Sequence, residues 1–169
     1  MVGKLIQINS ETITEATASV TFTGINSDDV YMLAFSGLFV DTDGGVIRFR
    51  VTTGGTADSD SEYDRAHKVP RTSASFANVN TTGGTSWGYN ELGTAGQEQA
   101  NGIMYLYNFN NSSVFSHYSL ETVERISSGE MQSIMGGGVH TVAEANDGIQ
   151  AFVDGGNFAS GTLTLYKVV

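Results

Sequence analysis

The sequence predicts a single all-β domain over residues 1–169, an antiparallel β-sandwich or jelly roll of about ten short strands. Three observations point there. Apolar residues recur with period two in run after run, as strands with one buried face require. The runs are separated by glycine-rich turns, in a chain with 21 Gly and a single Pro. Only one or two short stretches fit a helical turn, which favours a sandwich over mixed architectures.

The elements follow in order. Residues 4–9 form a first candidate strand and the polar segment 10–17 a connection. In 18–23, Val20 and Phe22 alternate with Ser19, Thr21 and Thr23, the pattern of a half-buried strand. Across 30–40 both faces are apolar: Val30, Met32 and Ala34 alternate with Tyr31, Leu33 and Phe35. Such a strand is covered on both sides, by the core and by a further layer or a second subunit. Asp41-Thr42-Asp43-Gly44-Gly45 reads as a hairpin turn, since Asp-Gly supplies the backbone angles a tight turn demands. The return strand is 46–53, with Ile47, Phe49 and Val51 inward and Arg48 and Arg50 outward.

The middle third is less regular. Residues 54–61 read as a polar loop, 62–69 fits a strand or one helical turn, and 72–84 shows no regular pattern. A short aromatic strand spans 86–92, and 91–101 is another polar loop. Strand signals then return. In 102–109, Ile103, Tyr105, Tyr107 and Phe109 share one face and Met104 and Leu106 the other. Residues 114–121 run back, although 120–126 also fits a short helix. Runs at 131–135, 149–153 and 162–168 complete the chain, separated by Gly136-Gly137-Gly138, Asn146-Asp147-Gly148 and Asp154-Gly155-Gly156-Asn157. Neither a domain boundary nor a fixed-period repeat appears.

Composition narrows function. Eighteen acidic residues against eight basic ones give a formal charge of −10, which repels a phosphate backbone and argues against nucleic acid as partner. The absence of cysteine removes disulfides, thiolate nucleophiles and Cys-based metal sites. The first residues lack the apolar run of a signal peptide or membrane span, so a protein outside the membrane is expected.

Catalytic chemistry finds little to stand on. His67, His117 and His140 are far apart, without the spacing of a zinc site, and no Gly-x-Ser-x-Gly elbow exists. Most acidic residues, among them Asp28, Asp29, Asp41, Asp58, Asp60 and Asp154, fall in turns, where they solubilise or cap. Asp41-x-Asp43-Gly44 imitates a calcium loop, but its twelfth position is Thr52 where a bidentate Glu is needed. No catalytic residue, metal ligand or cofactor is therefore expected. Two sets of residues suggest binding instead. Trp87 and Tyr89 offer an aromatic platform for a sugar ring. Tyr31, Leu33 and Phe35, with Met104 and Leu106, offer an apolar face for subunit association.

The C-terminal stretch from Gly155 to Val168, with Ser160-Gly161-Thr162 leading to Leu165-Tyr166, resembles the closing strand of small virion proteins of tailed bacteriophages. The early strand 18–23, the approach to Ile47-Arg48-Phe49-Arg50-Val51, and Ser133-Ile134-Met135-Gly136-Gly137 are similar too. About a third of the chain is covered; residues 54–100 do not match, and Lys167 stands where a small residue is usual. The resemblance implies a jelly-roll virion component, a capsid decoration (cement) protein or a tail-fibre or baseplate accessory. It also implies a homotrimer that contacts other virion proteins, assembled in host cytoplasm without a signal peptide. A carbohydrate-binding module for host-surface glycan is the alternative reading, and a polysaccharide hydrolase with paired acids the third.

Overall fold

A computed structural model describes residues 3–73 and 76–169, and of Tyr89 and Asn90 the backbone alone. The chain is an antiparallel β-sandwich, with thirteen strands among the described residues, somewhat more than the pattern suggests. The wide sheet runs in the order β1 (Leu5–Ile13), β13 (Phe158–Val168), β3 (Tyr31–Val40), β9 (Ala100–Tyr107), β10 (Ser116–Arg125), β11 (Met131–His140), β6 (Tyr63–Pro70) and β7 (Phe76–Gly84). The narrow sheet runs β2 (Ser19–Thr23), β12 (Gly148–Asp154), β4 (Gly45–Thr53) and β5 (Thr56–Ala57), with β8 (Trp87–Leu92) also paired to β4.

Period-two alternation builds the core as expected. Val20 and Phe22, Ile47, Phe49 and Val51, and Ile149 and Ala151 line the inner side of the narrow sheet. They meet Leu33, Phe35, Met104, Leu106, Leu120, Leu163 and Leu165 from the wide one. Each large side chain so removed from water contributes about 1.5–3 kcal/mol.

The structure departs from the sequence reading at several points and decides between the alternatives left open at 62–69 and 120–126. The turn at 41–44 joins β3 in one sheet to β4 in the other, so it is an arch between sheets and not a hairpin. Its geometry is fixed by Asp41, whose carboxylate accepts hydrogen bonds from the Asn157 side chain at 2.7 Å and its backbone N–H at 2.8 Å. Those bonds hold the Asp41 carboxyl below the usual carboxylate range. Asn157 lies in the β12–β13 crossing, so the two inter-sheet connections brace each other.

The other differences add or lengthen strands. The polar segment after β1's first half stays in the sheet, because Ser10 and Thr12 pair their hydroxyls with Thr164 and Thr162. Residues 62–69 are strand. The irregular stretch contains β7, an edge strand whose Ala77 and Val79 pack on the core while Phe76, Asn78 and Asn80 face solvent. Its polar half hides the alternation. The helical alternative at 120–126 gives way to β10, in which Leu120, Thr122 and Glu124 are buried and Glu121, Val123 and Arg125 exposed. Finally, the glycine triplet is not a turn but lies within β11. A side chain at Gly138 would run into the Tyr118 ring and the Asp64 carbonyl, so glycine permits the close packing there.

The inner row of β10 ends in a buried acid. Glu124 is 3% exposed, accepts from Gln132 Nε2 at 2.6 Å and from Thr122 Oγ1 at 3.2 Å, and burial pushes its carboxyl up to about 8. Between the ordinary glutamate range and that value, the folded state keeps a proton that the unfolded chain has released. Stability therefore falls as pH rises through the window. Glu124→Gln is expected to flatten the decline of Tm between pH 6.5 and 8 in calorimetry; an unchanged slope would assign the effect to another group.

Candidate functional site

The residues expected to form a subunit face do not form one. Tyr31, Leu33, Met104 and Leu106 are fully buried and Phe35 nearly so. Register explains it, because Tyr31 pairs with Leu106 and Leu33 with Met104 on the inner side of the wide sheet. Both rows of β3 are apolar, and the row facing the other sheet is this one. Trp87 is likewise no platform. It is fully buried, its ring set 5.2 Å edge-on from Tyr63 and 4.6 Å from Tyr118, with Nε1 donating to the Val139 carbonyl at 3.2 Å. No ring face is left for a sugar. The side chain of Tyr89 lies outside the described residues.

The opposite parity of the same strands gives the wide sheet its outer surface. One row across it runs Ala34, Ile103, Glu121, Met135, and the next places Val123 between Asn101 and Ser133. Val123, Met131 and Met135 are each nearly half exposed, at 49%, 46% and 44%. Ile103, Tyr105 and Tyr107 stand partly exposed beside them, with the Tyr107 hydroxyl 2.9 Å from Ser119 Oγ. Exposed apolar side chains that cluster in this way, and are not scattered singly, mark a surface for contact.

The histidines are not gathered. His117 is exposed; His67 is buried, its Nε2 is 2.8 Å from the Tyr118 hydroxyl, and its pKa is pressed down to about 4 by burial and then by Arg65. His140 is fully buried, and around it the fold collects acids that the sequence keeps far apart. Its Nε2 lies 2.8 Å from Asp58 and 3.3 Å from Glu62, while Nδ1, without a hydrogen-bond partner, faces Glu144 at 3.9 Å. The ligand-type atoms of Asp58, Glu62 and His140 all lie within 4.8 Å of one another. Burial and the Asp58 charge raise the Glu62 pKa. Hydrogen bonds from the Asp60 N–H and from His140 outweigh burial and lower that of Asp58. The alternation Asp58-Ser59-Asp60-Ser61-Glu62 is the only sequence trace of this cluster, and nothing in it points to His140. The group clamps the loop before β6 to the end of β11. Asp58→Ala would leave a buried imidazole N–H without its nearest acceptor and is expected to cost about 1–3 kcal/mol in urea unfolding. Glu62→Ala, whose side chain is 34% exposed, should cost clearly less; equal losses would mean that Glu62 carries the imidazole.

A third feature joins both sheets. Arg48 and Arg50 on the outer side of β4, and Arg65 on β6, line one open pocket of about 340 Å3 with Thr81, Thr85, Phe152 and Asp154. Each guanidinium is anchored through Nε: Arg48 to Asp154 at 2.8 Å, Arg50 to the Thr85 carbonyl at 3.1 Å, Arg65 to Thr81 Oγ1 at 3.2 Å. Arg50 also lies over the Phe152 ring, 4.3 Å from its centroid. Sequence reading placed Arg48 and Arg50 outward correctly. Arg65, 15 positions further along, carried no signal because 62–69 had no assigned face.

Among the described residues no helix is long and apolar enough to cross a membrane. Comparison with protein-family models, curated proteins and solved structures finds no match to this chain.

Proposed function

We propose that the chain is a non-catalytic structural component of a tailed-bacteriophage virion, either a capsid decoration or cement protein or a tail-associated one, assembled in host cytoplasm and acting through protein–protein contacts. The observation that carries this reading is the apolar patch of exposed Val123, Met131 and Met135, with partly exposed Ile103 beside them, on the outer face of the wide sheet. The likeness of the closing strand to phage virion proteins supports the setting. The cysteine-free β-sandwich suits it, since stability then rests on packing and association.

The homotrimer expected from the resemblance is retained, with its contact moved to this outer face. Apolar area removed from water there stabilises the assembly by about 25 cal/mol per Å2, and the exposure of Val123, Met131 and Met135 leaves that area open to a second copy. The hydrolase reading loses ground on geometry. Asp58 and Glu62 converge on His140 and do not oppose each other across a cleft, as the two acids of a glycosidase must.

Light scattering tests the proposal directly. At micromolar concentration the mass should be three times that of the chain, and Val123→Glu with Met135→Glu should return the monomer mass with the native circular dichroism spectrum kept, because both side chains are exposed, and with Tm lowered only by the lost association. A wild-type monomer across that range would overturn it. Leu33→Glu, by contrast, is expected to unfold the protein and not merely to dissociate it.

A further inference from the structure

We propose that the pocket of Arg48, Arg50 and Arg65 is a binding site for a small ligand bearing an oxyanion group, a carboxylate, sulfate or phosphate. Three of the chain's eight basic residues meet there, while the chain as a whole carries −10. Within the lining, three positive charges face one negative, that of Asp154. Such a concentration is costly in the free protein and is relieved by an anion.

The arrangement is built, not incidental. Gly88 pairs with Arg48 across the β4–β8 ladder, and a side chain there would collide with the Arg65 guanidinium and come within 3.0 Å of Arg48 Nη1. The two guanidiniums therefore crowd the same backbone position, and a side chain at 88 would have to displace the Arg65 tip from beside Arg48. Arg65 bears the cost: burial first, and then the Arg48 charge, lower its pKa. All three side chains spend Nε on protein acceptors, so their position is set before any ligand arrives. Their Nη nitrogens have no protein acceptor among the described residues. Guanidinium forks with unspent N–H groups suit the paired oxygens of a carboxylate, sulfate or phosphate.

Size and charge restrict the ligand further. A pocket of about 340 Å3 lies at the small end of the range for ligand sites. A long polyanion would meet the surrounding negative field over most of its length. A single acidic group on a small or locally charged molecule escapes that penalty. The shared chemistry has two sources, a sugar acid and a phosphorylated or sulfated compound, which different probes separate.

The experiment is calorimetric titration of the full chain with glucuronate, N-acetylneuraminate, sulfate and phosphate, at ionic strength held constant with sodium chloride. At least one should bind saturably, and at ten times its Kd it should raise Tm by roughly 3–6 °C. Binding by the sugar acids alone identifies a carboxylate ligand; binding by sulfate or phosphate alone identifies a tetrahedral one. Arg65→Gln and Arg48→Gln should each weaken affinity at least tenfold. Asp154→Asn, which removes the competing charge and keeps an amide oxygen as acceptor for Arg48 Nε, should tighten it several-fold. Lys68→Gln, outside the pocket, should leave it unchanged. If an arginine variant fails to fold, amide shifts in the wild type decide: Gly84, Ser86 and Gly88 must be among those that move. No saturable binding of any probe at 50 mM, or binding indifferent to the arginines and to Asp154, overturns the proposal.

Discussion

Trp87 fixes how the two sheets sit on each other. It projects from the narrow sheet and is fully buried. It packs against Tyr63 and Tyr118 of the wide sheet, with Phe109 6.3 Å away, and its indole N–H is satisfied by the β11 backbone. An indole of this size admits few alternative positions between sheets packed at interior density. Tyr63 passes the order on. Its ring rests 4.9 Å from that of His140, and its hydroxyl donates to the Asp58 carbonyl and accepts from the Val51 N–H. The hydroxyl is thereby shared between the wide sheet, β4 and the acidic loop. Burial, with the Asp58 charge behind it, raises its pKa and keeps it neutral.

Strand parity carries that constraint outward. With Trp87 pointing in, Gly88 must point out, and it is Gly88 that makes room for Arg65 beside Arg48. With Leu33, Met104 and Leu106 pointing in to meet the narrow sheet, the alternate residues Ala34, Ile103 and Tyr105 must form the outer surface. A slip of one residue in either strand would exchange the two sets. The arginine pocket and the apolar face are thus consequences of the same packing decision, read from opposite sides of the sandwich.

How legible this was depends on what each residue's neighbours reveal. Strands with one polar face, such as β2 and β4, announce both existence and orientation, because Val20 and Phe22 or Ile47, Phe49 and Val51 leave a single choice. β3 and β9 announce existence only. Both rows are apolar, so Tyr31 and Met32, or Met104 and Tyr105, are equivalent in sequence, and the choice between them is made by partners across the sheets. β7 was hidden for the opposite reason, since its inner row is the modest Ala77 and Val79. At the arch 41–44, turn chemistry specifies a reversal of direction, not whether the returning strand pairs or crosses to the other layer. His140 with Asp58 is a long-range pairing with no local signature at all.

Charge is where composition misleads most. A formal −10 describes the field far from the molecule, where it argues against nucleic acid. It says nothing of the field inside a pocket whose walls are chosen one residue at a time. Screening at physiological salt damps charges beyond a Debye length of about 8 Å, whereas the charges that line the pocket, Arg48, Arg50, Arg65 and Asp154, act on a ligand at contact. Negative surroundings then work as a filter: they oppose the approach of extended polyanions while leaving a single acidic group to be held by short contacts. A −10 protein with an arginine pocket is thereby better suited to select a small acidic ligand than a uniformly basic one, which would collect every polyanion it met.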